Sequence, residues 1–125
     1  MYNLFFLLGI CTLPFSPQTP NASQQEVALL KAFASDLRPG KTDWQFNEVH
    51  TDTLKLLEFV GDYDYFYGYF ESKSGVKLII FENEKLAPSD VNKTMIVHWQ
   101  VGRFYQAGEG EAPFLAEQLV SYEEL

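Results

Sequence analysis

At 125 residues, 46% of them apolar, the chain has the material for one domain around a single core. Seventeen acidic residues against nine basic ones give a formal charge of -8, a balance that repels phosphate backbones and argues against nucleic acid as a partner. The one cysteine, Cys11, lies in the N-terminal apolar run, so loss of that run would exclude thiol catalysis, disulfides and thiolate metal sites.

The run from Leu4 to Leu13 is too short to cross a bilayer as a helix. Its length suits the apolar part of a secretory signal peptide, although Met1-Tyr2-Asn3 offers no basic residue ahead of it. A buried first strand is the competing reading. Leu8-Gly9-Ile10-Cys11 has the outline of a lipoprotein cleavage box, but Ile10 stands where a small residue is needed. Residues 1–16 are therefore read as a signal peptide, 17–22 as a polar, proline-containing linker and 23–125 as one β-rich domain. Export to a periplasm or the extracellular space follows, with the cytoplasm as the alternative, and an integral membrane span is not expected.

Ser23-Gln24-Gln25-Glu26 has capping-box spacing, and Val27, Leu30, Ala34 and Leu37, widened by Leu29 and Phe33, recur at helical spacing. This predicts one amphipathic helix, stopped at Arg38-Pro39-Gly40. Past Gly40 the period shortens. Trp44 and Phe46 alternate with polar residues, forming a short strand or a loop with a Trp anchor. Strands are predicted over 53–60, 63–71, 76–82 and 93–106, with a turn at Gly61-Asp62 and a hairpin at 72–75. In the fourth strand Val97, Trp99 and Val101 share the inward face, His98 points outward, and Gly102 is expected to bulge so that Phe104 continues the inward series. The tail over 112–122 fits a strand better than a short helix.

These elements predict an α+β, mainly β fold, with an N-terminal helix followed by a five-stranded antiparallel small barrel or a strongly curved sheet. The order of short strands resembles oligonucleotide-binding and SH3-like barrels.

The candidate binding residues are Tyr63, Tyr65, Tyr67 and Tyr69, which alternate along one face of the second strand, together with Glu109 and Glu111 in the Gly-rich loop after Tyr105. Phe66 and Phe70 take the opposite, core-facing side, and Gly68 leaves space there for Trp99 or for strand curvature. An aromatic ladder half covered by neighbours is the plainer account of the tyrosines. Single-stranded nucleic acid is disfavoured because Asp62, Asp64 and Glu71 flank the ladder where a stacking platform needs a basic groove.

Asp62 and Asp64 fail the EF-hand frame, since Phe66 and Lys73 occupy ligand positions. Glu48, His50 and Asp52 alternate but lack the spacing of a metal site. There is no nucleophile elbow, phosphate loop or dinucleotide fingerprint. Neither metal nor cofactor is therefore expected. Asn21-Ala22-Ser23 and Asn92-Lys93-Thr94 match the glycosylation pattern, which has meaning only in a secreted eukaryotic protein.

The function expected is a non-enzymatic exported binding domain that recognises a protein or small partner through the tyrosine face and the acidic loop. One alternative is a structural or self-associating module of the cell envelope. A more remote one is a hydrolase-like enzyme, which requires Glu58, Glu71, Glu117 or His98 to converge.

Overall fold

The computed structural model describes residues 22–61, 65–83, 85–105 and 112–125. A helix, α1 (Ala22–Ala32), is followed by five strands: β1 (His50–Gly61), β2 (Phe66–Ser72), β3 (Lys77–Glu82), β4 (Thr94–Tyr105) and β5 (Pro113–Glu124). The strands close into a barrel in the order β1-β2-β3-β5-β4, with β4 returning to β1. Of the two expected barrel types, this is the oligonucleotide-binding-like connectivity. The expected all-antiparallel sheet is corrected in one place. β3 and β5 run parallel and meet at a single registered pair, Phe81↔Gln118.

The core follows from strand alternation. Leu54 and Leu56 on β1, Phe70 on β2, Ile80 on β3, Met95, Val97, Trp99 and Val101 on β4, and Leu119 on β5 are all buried. Burying each such side chain contributes roughly 1.5–3 kcal/mol. The β2–β3 hairpin turns at Gly75, whose φ of +92° suits a residue without Cβ. Ser72 closes it, accepting from the Gly75 and Val76 amides.

Three local expectations change. The helix stops at Ala32, not Leu37, and Glu26 is paired with Arg103 at 2.6 Å. The segment after the helix turns across the barrel end, packing Phe33 and Leu37 on the core. Gly102 is not a bulge. The β4–β5 register slips between His98 and Trp99 and is then unbroken to Tyr105, so Phe104 shares the outer face with Gln100 and Gly102. A Cβ on Gly102 would come within 2.8 Å of Gln118 Cβ, so close side-chain approach is what its glycine serves. Gly68 similarly makes room for Leu56, Leu86 and the Phe70 ring, not for Trp99.

A short 3-10 turn (Pro88–Asp90) leads into β4. Asp90 is buried there and accepts from the Ala87 amide and the Tyr122 hydroxyl, which ties the turn to β5. Among the described residues no helix is long and apolar enough to cross a membrane.

Candidate functional site

Outward positions on β2 and β3 line up in register, Tyr67 with Phe81, Tyr69 with Ile79 and Glu71 with Lys77. The last pair sets opposite charges side by side across the hairpin. The apolar ones carry a surface that a half-buried strand would fill with polar side chains. Tyr67 lies edge-on to Tyr69 at 5.7 Å and to Phe81 at 5.8 Å. Phe81 continues to Phe104 at 4.6 Å and to Phe114 at 6.1 Å, which gives one outer aromatic cluster spanning β2, β3, β4 and β5. Phe104 is buried beneath it. At the edge of the cluster Tyr69 is 37% and Ile79 38% exposed, the largest apolar exposure on this wall.

Tyr65 behaves differently from Tyr67 and Tyr69. Its hydroxyl donates to the Tyr105 carbonyl at 2.8 Å and accepts from the Tyr105 amide at 3.0 Å, while its ring meets Phe81 and Phe104 edge-on. It is a strut that ties the start of β2 to the end of β4. The chain ends bordering residues 62–64 and 106–111 are therefore held side by side. Tyr63, Glu109 and Glu111 lie outside the described residues. The structure thus brings Tyr65, Tyr67 and Tyr69 into one aromatic surface and gives Tyr65 a structural task within it.

Beside this surface β3 and β5 diverge. Ahead of Phe81↔Gln118 the two strands have no registered partners on each other, and a cleft of about 710 Å³ opens between them. Tyr69, Leu78, Ile79 and Phe81 form one wall and Ala116 and Glu117 the other, with Ala34 and Asp36 contributed by the segment after α1. Glu117 is half-buried and its carboxylate accepts from the Ser35 hydroxyl at 2.7 Å. Burial pushes the Glu117 carboxyl above its ordinary range; the Ser35 bond opposes this and the nearby Asp36 charge adds to it.

The polar residues considered for a metal serve another purpose. His50 is buried between Trp99, 4.6 Å away, and Trp44, 5.3 Å away. Asp52 accepts from Trp99 Nε1 at 2.7 Å and from Arg38 Nη1 at 2.9 Å. Trp44 Nε1 donates to the Lys41 carbonyl. His50 Nε2 and Glu48 Oε1 are buried 3.7 Å apart, and neither has a hydrogen-bond partner among the described residues. Burial pushes the His50 pKa down, with the Glu48 charge working against it. Among the described residues no group of three or more His, Cys, Asp or Glu is placed to hold a metal ion.

The acids and histidine of the hydrolase reading lie on different strands among different neighbours. His98 faces outward, bonded to Thr51 and 3.3 Å from Glu123, as alternation predicts. Glu117 bonds Ser35, Glu71 stands opposite Lys55 and Lys77, and Glu58 is exposed opposite Tyr69.

Sequence reading missed Ile79, Phe81, Phe104, Phe114 and Asp36. One signal was available: Leu78-Ile79-Ile80-Phe81 is an unbroken apolar run, so both faces of β3 are apolar and its outer face needs a cover or a partner. No protein-family model, no curated protein and no solved structure matches the chain.

Proposed function

We propose that this is a non-enzymatic binding domain, exported from the cell, that recognises a protein partner through the outer aromatic face of β2 and β3 and the acidic loop after β4. The observation that carries the reading is the contiguous outer cluster, from Phe114 through Phe104 and Phe81 to Tyr67, which ends in the exposed edge formed by Tyr69 and Ile79. Large amphipathic rings on a rigid strand give contact area at little entropic cost, which favours them in recognition surfaces. In oligonucleotide-binding-like barrels the face of strands 2 and 3 and the loops 1–2 and 4–5 take oligonucleotides and oligosaccharides, so the same face is a ready recognition surface. The tyrosines occupy that face, and Tyr63, Glu109 and Glu111 belong to those loops by sequence. The formal charge of -8 turns the selectivity away from phosphate backbones and towards cationic or apolar partners. Export rests on the Leu4–Leu13 run.

The test is affinity capture from the extracellular fraction of the source cells, comparing wild type with a Tyr67→Ala/Tyr69→Ala variant of unchanged circular dichroism. Loss of a specific partner in the variant, with the affinity then measured on the purified pair, supports the reading. Equal recovery removes it. Light scattering on the same samples separates this from self-association, in which wild type alone shows a concentration-dependent mass.

A further inference from the structure

The cleft between β3 and β5 has features that the aromatic face alone does not explain. A strand normally pairs on both sides or is blunted on its free edge. β3 pairs with β2 throughout its length, and β5 pairs with β4 from Pro113 onward, yet between β3 and β5 themselves Phe81↔Gln118 is the single registered pair. Two strand edges therefore face one another across a gap. The walls are apolar where they are formed by Leu78, Ile79, Phe81 and Ala116.

The gap is lined by two carboxylates, Asp36 and Glu117, and one cation, Lys77, so acidic groups are in excess there. Lys77 at the rim has Glu71 as its cross-strand neighbour. Asp36 and Glu117 form no ion pair among the described residues; burial is what raises the Glu117 carboxyl, and the Asp36 charge adds a smaller push in the same direction. Apolar walls, open backbone edges and an excess of carboxylates over the single Lys77 complement an extended chain that carries apolar side chains and a cation.

We propose that the gap between the first halves of β3 and β5 takes an extended peptide of the partner as an added strand, with a basic side chain directed at Asp36 and Glu117. This rests on the binding-domain reading above, since Tyr69, Ile79 and Phe81 serve both surfaces. Main-chain hydrogen bonds to the open edges supply affinity, and the carboxylates select for lysine or arginine over acidic residues.

The test is a backbone-amide NMR titration of the full domain with two short synthetic peptides, one alternating valine and lysine, the other alternating valine and glutamate. The valine–lysine peptide is expected to bind saturably, shifting the amides of Lys77 to Ile80 and of Ala116 to Gln118, and to weaken several-fold as salt rises from about 20 to about 300 mM. Asp36→Asn/Glu117→Gln should weaken it about fivefold or more, whereas Glu58→Gln/Glu123→Gln, which removes the same charge from the exposed surface, should not. If Asp36→Asn/Glu117→Gln loses its dispersed spectrum, Asp36→Asn alone, at an exposed side chain, makes the comparison. No binding, equal binding of the valine–glutamate peptide, shifts confined to other strands, or equal weakening by both charge variants overturns the proposal. Tyr67→Ala/Tyr69→Ala separates the two claims. Weakening in that variant without weakening in Asp36→Asn/Glu117→Gln leaves the aromatic face standing and removes the strand-addition site; the reverse removes the tyrosine face and keeps the cleft.

Discussion

The molecule has two aromatic clusters of opposite character, one inside the barrel and one on its outer wall. Trp44, His50 and Trp99 pack inside the barrel end, and each indole N–H has an internal acceptor, Asp52 for Trp99 and the Lys41 carbonyl for Trp44. Tyr65, Tyr67, Phe81, Phe104 and Phe114 pack on the outside of the same barrel, where the cluster is sealed at its Phe104 end and open at its Tyr69 end. The first spends its polar groups on holding the fold. The second keeps surface in reserve. What separates the two clusters is which strand face carries the rings and how much of their surface stays exposed at the edge.

This contrast can be broken most forcefully at Trp99. Trp99→Ala should destabilise the domain by about 3–5 kcal/mol, because it empties the largest buried site and leaves Asp52 with Arg38 as its remaining donor, and urea unfolding will measure it. A smaller effect is expected at His50. Since burial lowers its pKa in the folded state, the associated stability is fully present above its ordinary 6.5 and is lost as pH falls through the depressed folded value. Glu117 runs in the opposite sense: its raised carboxyl gives stability that is present below its ordinary 4.5 and is lost as pH rises through the folded value. The His50 component is therefore isolated by comparing wild type with His50→Phe between pH 7 and pH 5, where the urea midpoint of wild type should fall further than that of the variant. The smallest effect belongs to the outer edge. Tyr69→Ala should change stability by no more than about 0.5 kcal/mol while reducing partner binding, and a large loss of stability there would make the outer cluster structural like the inner one.

The strands of the barrel were legible from local alternation. Val97, Trp99 and Val101 point inward and His98 outward as their phase requires, and the hairpin at 72–75 forms where its turn residues stand. What was not legible depends on partners distant in the chain. The slip between His98 and Trp99 is set by the pairing with β5, and Gly102 is ambiguous alone because glycine serves bulges and close approaches equally. Beyond the early end of the helix, Ser35 bonds Glu117, a residue 82 positions later, and its hydroxyl also accepts from the Leu37 amide, contacts that local periodicity does not show. Tyr67 and Tyr69 were found by counting along one strand. The cleft was not, because it arises from the divergence of two strands, each unremarkable by itself.

The single Phe81↔Gln118 pair also governs the order in which the barrel can be completed. β5 is the last of the described strands and joins two edges, that of β4 along its length and that of β3 at one registered pair. Until it docks, a sheet in the order β3-β2-β1-β4 stands open at both sides, which is when a β-rich chain is most exposed to pairing with its neighbours. The zipper with β4 must supply most of the docking energy, leaving the seam with β3 as the weakest line of the closed barrel. Local opening should therefore begin there, so that amide exchange at Leu78 to Ile80 outpaces exchange at Met95 to Trp99.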